Sequence, residues 1–237
     1  MNRELKLLIT NQCMRVRSIY EMFDRCHDTR HFDEVFAAAS YIVDNMNTND
    51  SVIETAILLS AAYHDIGRLI NEENHHKYSD IIIRNDKSLK EFMMTHMADI
   101  YEPAIELACQ MIFYHRRKYH TNEIGLPEIF PEKVKECCRI LYDCDKCMQS
   151  DKDRVLYRYI AYYLDNIAKT RSLKSVGEVI KMVENRWKKL GEGEYVGFNP
   201  VSETFKNLSK SDDFKYMTGP FKFTKEDIEK AYYKHFD

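Results

Sequence analysis

The twelve residues from Val52 to Tyr63 carry no continuous polar face, and the run ends abruptly on His64-Asp65. A helix that is apolar nearly all round must be covered on every side, so this segment predicts the centre of a domain rather than its surface. What can surround it is limited by composition. Glycine (7) and proline (5) are scarce in 237 residues, which argues against a many-stranded sandwich or barrel and against disorder. Charged residues at 31% and hydrophobic residues at 44% fit long helices with one buried and one solvated face. The expected class is all-α.

Helical spacing recurs along the chain. Leu5, Leu8, Ile9, Val16, Ile19 and Phe23 suggest a first helix ending near Arg25, and Val35, Ala38, Ala39, Ile42 and Met46 a second beginning near Thr29 to Phe32. Asp50 or Ser51 is the cap expected for the central helix, with Gly67 as its stop. Further helices are expected over His76 to Arg84, Leu89 to Met97, Pro103 to His115, Val134 to Met148, Asp153 to Thr170 and Val176 to Leu190. Gly191, Gly193, Gly197 and Pro200 then mark a boundary, giving a helical domain over residues 1–195 and a less regular extension over 196–237. Within that extension, Thr224-Lys225-Glu226-Asp227 reads as a capping start to a last short helix.

A formal charge of −3 lacks the basic excess that drives non-specific nucleic-acid binding. No apolar run approaches the roughly 18 residues that span a bilayer, and Met1 to Lys6 leads into no signal-peptide core. Membrane and nucleic-acid partners are therefore not expected, and a cytoplasmic location is. Seven cysteines, an odd number, favour reduced thiols over a disulfide framework. The oligomeric state has no signature.

Chemistry is expected at His64-Asp65, because a carboxylate at the end of so apolar a helix needs a partner. A salt bridge would serve; a divalent cation would serve both residues. His31 shares the inward face of Val35, Ala38 and Ile42, where a hydrogen-bonded core histidine is the commoner outcome. Asp145 stands in the middle of the stripe Val134, Cys138, Leu141 and Met148, whereas Asp143 falls on the polar face with Glu136 and Arg139 and is expected to be a solvated charge.

His31, His64-Asp65 and Asp145, in that order on successive helices, resemble the ligand set of the HD-domain metal-dependent phosphohydrolase superfamily. His27-Asp28-Thr29-Arg30-His31 and Asp143-Cys144-Asp145-Lys146 narrow the resemblance to a bacterial branch that opens with His-Asp-x-x-His, with Cys144 and Cys147 departing from the usual Ala and Leu. The likeness covers about His27 to Cys147. It implies an HD-domain-like helical bundle around a buried central helix. It also implies a divalent metal (Mn, Fe, Ni or Mg) held by His31, His64, Asp65 and Asp145, and hydrolysis of a phosphate ester or anhydride in a small phosphorylated substrate, a nucleotide first of all. The alternative is a non-catalytic HD-type module that binds a nucleotide or a protein partner.

Around that set, Asp65 itself, Arg68, Glu72 and Lys146 are the catalytic candidates. Arg68 and Lys146 could hold phosphate oxygens, although solvated helix ends explain them equally well. Glu72 or Glu73 could move a proton. His75 and His76 lie where two-metal members of the superfamily place an extra histidine, and His115 lies in a place similar to another, so a second metal would draw on both regions. His115-Arg116-Arg117-Lys118 could clamp phosphate or simply close a helix. Cys144-x-x-Cys147 is read as packing thiols, not as a redox or zinc motif, and the tyrosines at 157, 159, 162 and 163 as helix packing.

Overall fold

The computed structural model of the chain describes residues 1, 3–115, 126–146, 156–158, 160, 161, 164, 177, 178, 181, 182, 185, 200–208 and 224–234. No strand occurs among the described residues, as the composition predicts. The helices are α1 (Arg3–Met14), α2 (Thr29–Asn45), α3 (Ser51–Tyr63), α4 (His75–Asn85), α5 (Lys87–His96), α6 (Tyr101–Tyr114), α7 (Glu132–Lys146), α8 (Glu203–Leu208) and α9 (Lys225–Tyr233). Contacts divide the chain into two compact units. One comprises Met1–Phe23, His27–Cys147 and Pro200–Phe214; the other comprises Asp24–Cys26, Met148–Asn199 and Lys215–Asp237.

In the first unit α3 lies at the centre, against α1, α2, α6 and α7. Eleven of its thirteen residues are buried, which the absence of a polar face requires. Asp50 caps it by accepting the N–H groups of Val52 and Ile53. The helix stops earlier than expected, at Tyr63. His64 closes it, and a 3₁₀ turn over Ile66–Leu69 follows. Gly67 lies inside that turn, and what it supplies is room: a Cβ there would meet the His75 carbonyl oxygen at 2.1 Å and the Ser79 nitrogen at 2.5 Å. The backbone of α4 thus presses directly on the turn that carries Asp65.

The N-terminal helix is also shorter than its spacing predicts. It ends at Met14, and Arg17–Met22 winds as 3₁₀. Tyr20, on this tighter stretch, is wholly buried. Its ring meets Phe23 and Phe32 edge-on, and its hydroxyl donates to the Ala62 carbonyl at 2.9 Å.

The division at 195–196 falls outside the described residues; residues 200–208 belong with the first unit. Asp143 is the reason. It is not a solvated charge, as periodicity on α7 alone suggested, but fully buried. Its carboxylate accepts the backbone N–H of Val201 at 3.0 Å and of Ser202 at 2.8 Å, while Glu136 accepts that of Thr204 at 2.8 Å. The polar face of α7 is therefore the seat of the 200–208 segment, and α8 packs on both α7 and α2.

In the second unit, the described residues between 156 and 185 are helical. Thr224 caps α9 in a reciprocal capping box with Asp227, as the sequence predicts. The Cys147 thiol, the cationic run 116–118 and tyrosines 159, 162 and 163 lie outside the described residues.

Candidate metal centre

Six buried side chains from five stretches of the first unit converge at the end of α3. His31 stands in the first turn of α2, where Asp28 is the N-cap and accepts the N–H of Arg30 at 3.1 Å and of His31 itself at 3.2 Å. The acidic residue of the His27-Asp28-Thr29-Arg30-His31 motif thus builds the helix start that aims His31 inward. His31 Nε2 lies 3.2 Å from Asp145 Oδ1, 3.7 Å from Asp65 Oδ2 and 3.3 Å from His64 Nε2. Asp145 faces His64 at 3.8 Å, as its place in the apolar stripe of α7 predicts.

A second group shares Asp65. Its Oδ1 lies 2.9 Å from His75 Nε2, and His75 Nε2 lies 3.3 Å from His115 Nε2. His75 begins α4 and His115 closes α6. The His76 ring meets His75 and Phe113 edge-on.

The ring nitrogens facing away from the centre decide what the centre can hold. Nδ1 of His64, His75 and His115 each meets the carbonyl three residues earlier, of Ala61 at 2.9 Å, Glu72 at 2.7 Å and Ile112 at 2.6 Å. A carbonyl can only accept, so these Nδ1 atoms carry a proton, and in the neutral form of each ring the Nε2 lone pair points inward. Burial, helped by His64 and His75, holds the His115 imidazole well below its usual range, hence neutral. Asp65 and Asp145 stay ionised. Burial pushes both upward, but the surrounding positive charge, the Arg68 guanidinium beside Asp65 and the Lys146 ammonium beside Asp145 among it, holds them well below the ordinary carboxylate value.

Imidazole nitrogens facing one another at 3.3 Å, with two carboxylates among them, form an arrangement that a cation relieves. The donor atoms of His31, His64 and Asp65 lie within 4.8 Å of one another, as do those of Asp65, His75 and His115. Nitrogen and oxygen donors of this kind suit a first-row divalent ion.

Cations line the carboxylates on the outer side. Arg68 places Nε 3.2 Å from Asp65 Oδ1 and donates from Nη2 to His27 Nε2 at 2.8 Å. Lys146 Nζ lies 2.6 Å from Asp145 Oδ2 and is half exposed. Glu72 is more open still, 3.8 Å from Arg68 Nη1. His27 is a member of this shell that the sequence did not single out for its own contact. It meets Arg68 across 41 positions, and only its place in the opening motif hinted at it. The thiols of Cys137 and Cys138, on α7, are buried and pushed up to about 12, which fits packing rather than ligation.

Among known families, the HD domain matches residues 29–148, about half of the chain, a span that begins just before His31 and ends just after Asp145. No curated protein and no solved structure matches the chain. The family match covers the convergent histidines and aspartates, and the chain belongs to the HD-domain superfamily of metal-dependent phosphohydrolases.

Proposed function

We propose that the protein hydrolyses a small phosphorylated substrate, with nucleotides as the first class to test, using two divalent ions. His31, His64, Asp65 and Asp145 would hold one ion; Asp65, His75 and His115 would hold the second. The observation that carries this reading is the inward placement of Nε2 of His64, His75 and His115 around the shared Asp65, with each Nδ1 committed to a carbonyl. Bound there, Mn²⁺, Fe²⁺, Ni²⁺ or Mg²⁺ supplies Lewis-acid polarisation of a phosphoryl oxygen and acidifies a water.

The protein's own groups do the rest. Arg68, fixed between Asp65 and His27, presents a guanidinium that fits a phosphate oxygen pair and orients the substrate against the carboxylates. Lys146 sits beside Asp145 with its ammonium half exposed, placed to offset charge that develops on the reacting phosphoryl group. Glu72, exposed and next to Arg68, is the carboxylate placed to take a proton from the attacking water. A reducing, cytoplasmic setting accords with the buried thiols.

The test is incubation of the protein with each of the four metals and a panel of nucleoside mono-, di- and triphosphates, products being resolved by chromatography. Metal-dependent release of phosphate or pyrophosphate from at least one nucleotide is the expected result. Ion binding without turnover of any member would overturn the nucleotide hydrolase and leave a binding module.

A further inference from the structure

Ser79 is wholly buried on α4, one helical turn after His75. Its hydroxyl donates to the His64 carbonyl at 2.9 Å and accepts the Gly67 N–H at 2.8 Å. Those two partners bracket Asp65. At the same point the α4 backbone sits so close to Gly67 that no side chain fits between them. One hydroxyl therefore joins the helix that carries His75 to the turn that carries Asp65, and does so by bonding that turn on both sides of the carboxylate.

From this geometry we infer that Ser79 is a positioning residue for the second ion: it sets the separation of His75 from Asp65, and hence the affinity of the Asp65, His75 and His115 group. The inference rests on the two-ion reading above. Of the first group, His31 and Asp145 reach the centre from α2 and α7, away from the Ser79 contact, and His64 meets it only through its backbone carbonyl. A helix held at one residue would still pack, through Ile83 and the closeness at Gly67, but His75 would be free to shift along the turn. Removing the hydroxyl should act on one ion far more than on the other.

The experiment titrates the metal-free full chain with Co²⁺, following visible absorption and calorimetry together. The parent is expected to take two ions. His115→Gln, which removes a donor of the second group alone, identifies the signal of the second ion. Ser79→Ala should keep the first ion at parental affinity and weaken the second by about 10- to 100-fold, the cost usual for losing a residue that orients a ligand. Ile83→Val, on the same helix and 2% exposed, supplies a general loosening of α4 without touching the hydroxyl; it should leave both affinities in place. Equal weakening of both ions in Ser79→Ala, an unchanged second ion, or the same selective loss in Ile83→Val would each overturn the inference while the two-ion reading stands. A parent that takes one ion or none overturns both.

Discussion

Asp65 Oδ1 lies 2.9 Å from His75 Nε2, while the other oxygen of the same carboxylate turns towards His64 at 3.5 Å. One side chain is thus common to both groups of donors. Asp65→Ala should remove both ions at once and lower turnover by at least about 100-fold, beyond what losing a ligand's supporting residue costs. The fold should survive, because the substitution takes away the buried charge together with the ligand, and Arg68 keeps His27 and Glu72 as neighbours. Metal analysis beside circular dichroism checks this; turnover within a few-fold of the parent at saturating metal would exclude Asp65 as a ligand.

Arg68 and Lys146 should separate kinetically. If Arg68 holds a phosphate group that does not react, Arg68→Ala raises KM with little change in kcat. Lys146→Ala should instead lower kcat, by about 10-fold for each 1.4 kcal/mol of transition-state stabilisation lost. Steady-state kinetics at measured metal occupancy decides between these roles; a lower melting temperature with intact kinetics for Arg68→Ala would make it a structural contact.

Asp143 should matter to stability rather than to phosphate chemistry. Its carboxylate satisfies two backbone N–H groups of the 200–208 segment, and Asp143→Ala leaves both without that acceptor. A loss of about 1–3 kcal/mol is expected for such buried donors, read from denaturant unfolding, with Asp143→Asn losing less because one acceptor oxygen remains. Equal stability of Asp143→Ala and the parent would remove this clip from the fold.

The acid limb of stability should carry a contribution from Asp86. Burial pushes its carboxyl upward, but hydrogen bonds from Tyr63 at 2.7 Å, the Leu89 N–H at 3.0 Å and Arg15 at 2.6 Å overcome this and hold it below its ordinary value. Because the folded value is the lower one, the contribution is complete above the unfolded-state value. It fades as pH falls through that range towards the folded-state value, where both states become protonated. The stability gap between the parent and Asp86→Asn should therefore narrow as pH drops below about 4, in unfolding curves taken from neutral to acid pH. A gap that stays constant across that range would show that Asp86 is not held below its ordinary value.

What the sequence makes legible is what a single element decides by itself. Val52 to Tyr63 has no polar face, so its burial follows from its own residues, and Asp145 turns inward because its helix repeats at three and four. Asp143 departs from its periodicity for the complementary reason. The face it occupies is polar, but the 200–208 segment that covers it arrives from almost sixty positions away, and nothing in α7 announces it. The contact of His27 with Arg68 and the bridge of Ser79 between His64 and Gly67 are likewise products of packing between distant segments. Gly67 reads from the sequence as a helix stop, whereas in the fold it is the close approach of α4 that excludes a side chain there.

The scatter of the donors along the chain has a consequence for how the protein comes to be assembled. Between His31 and Asp145 the donors are spread over α2, the end of α3, the start of α4, the end of α6 and α7, so no contiguous fragment that lacks one of these stretches owns a complete set. Contacts of such separation form late, once long loops have closed. Ion uptake therefore reports arrival of the last of these helices, and the free energy of uptake is added to a chain that has already brought all five together. During refolding, added metal should slow escape from the native state much more than it speeds approach to it, making the centre a latch on a finished fold.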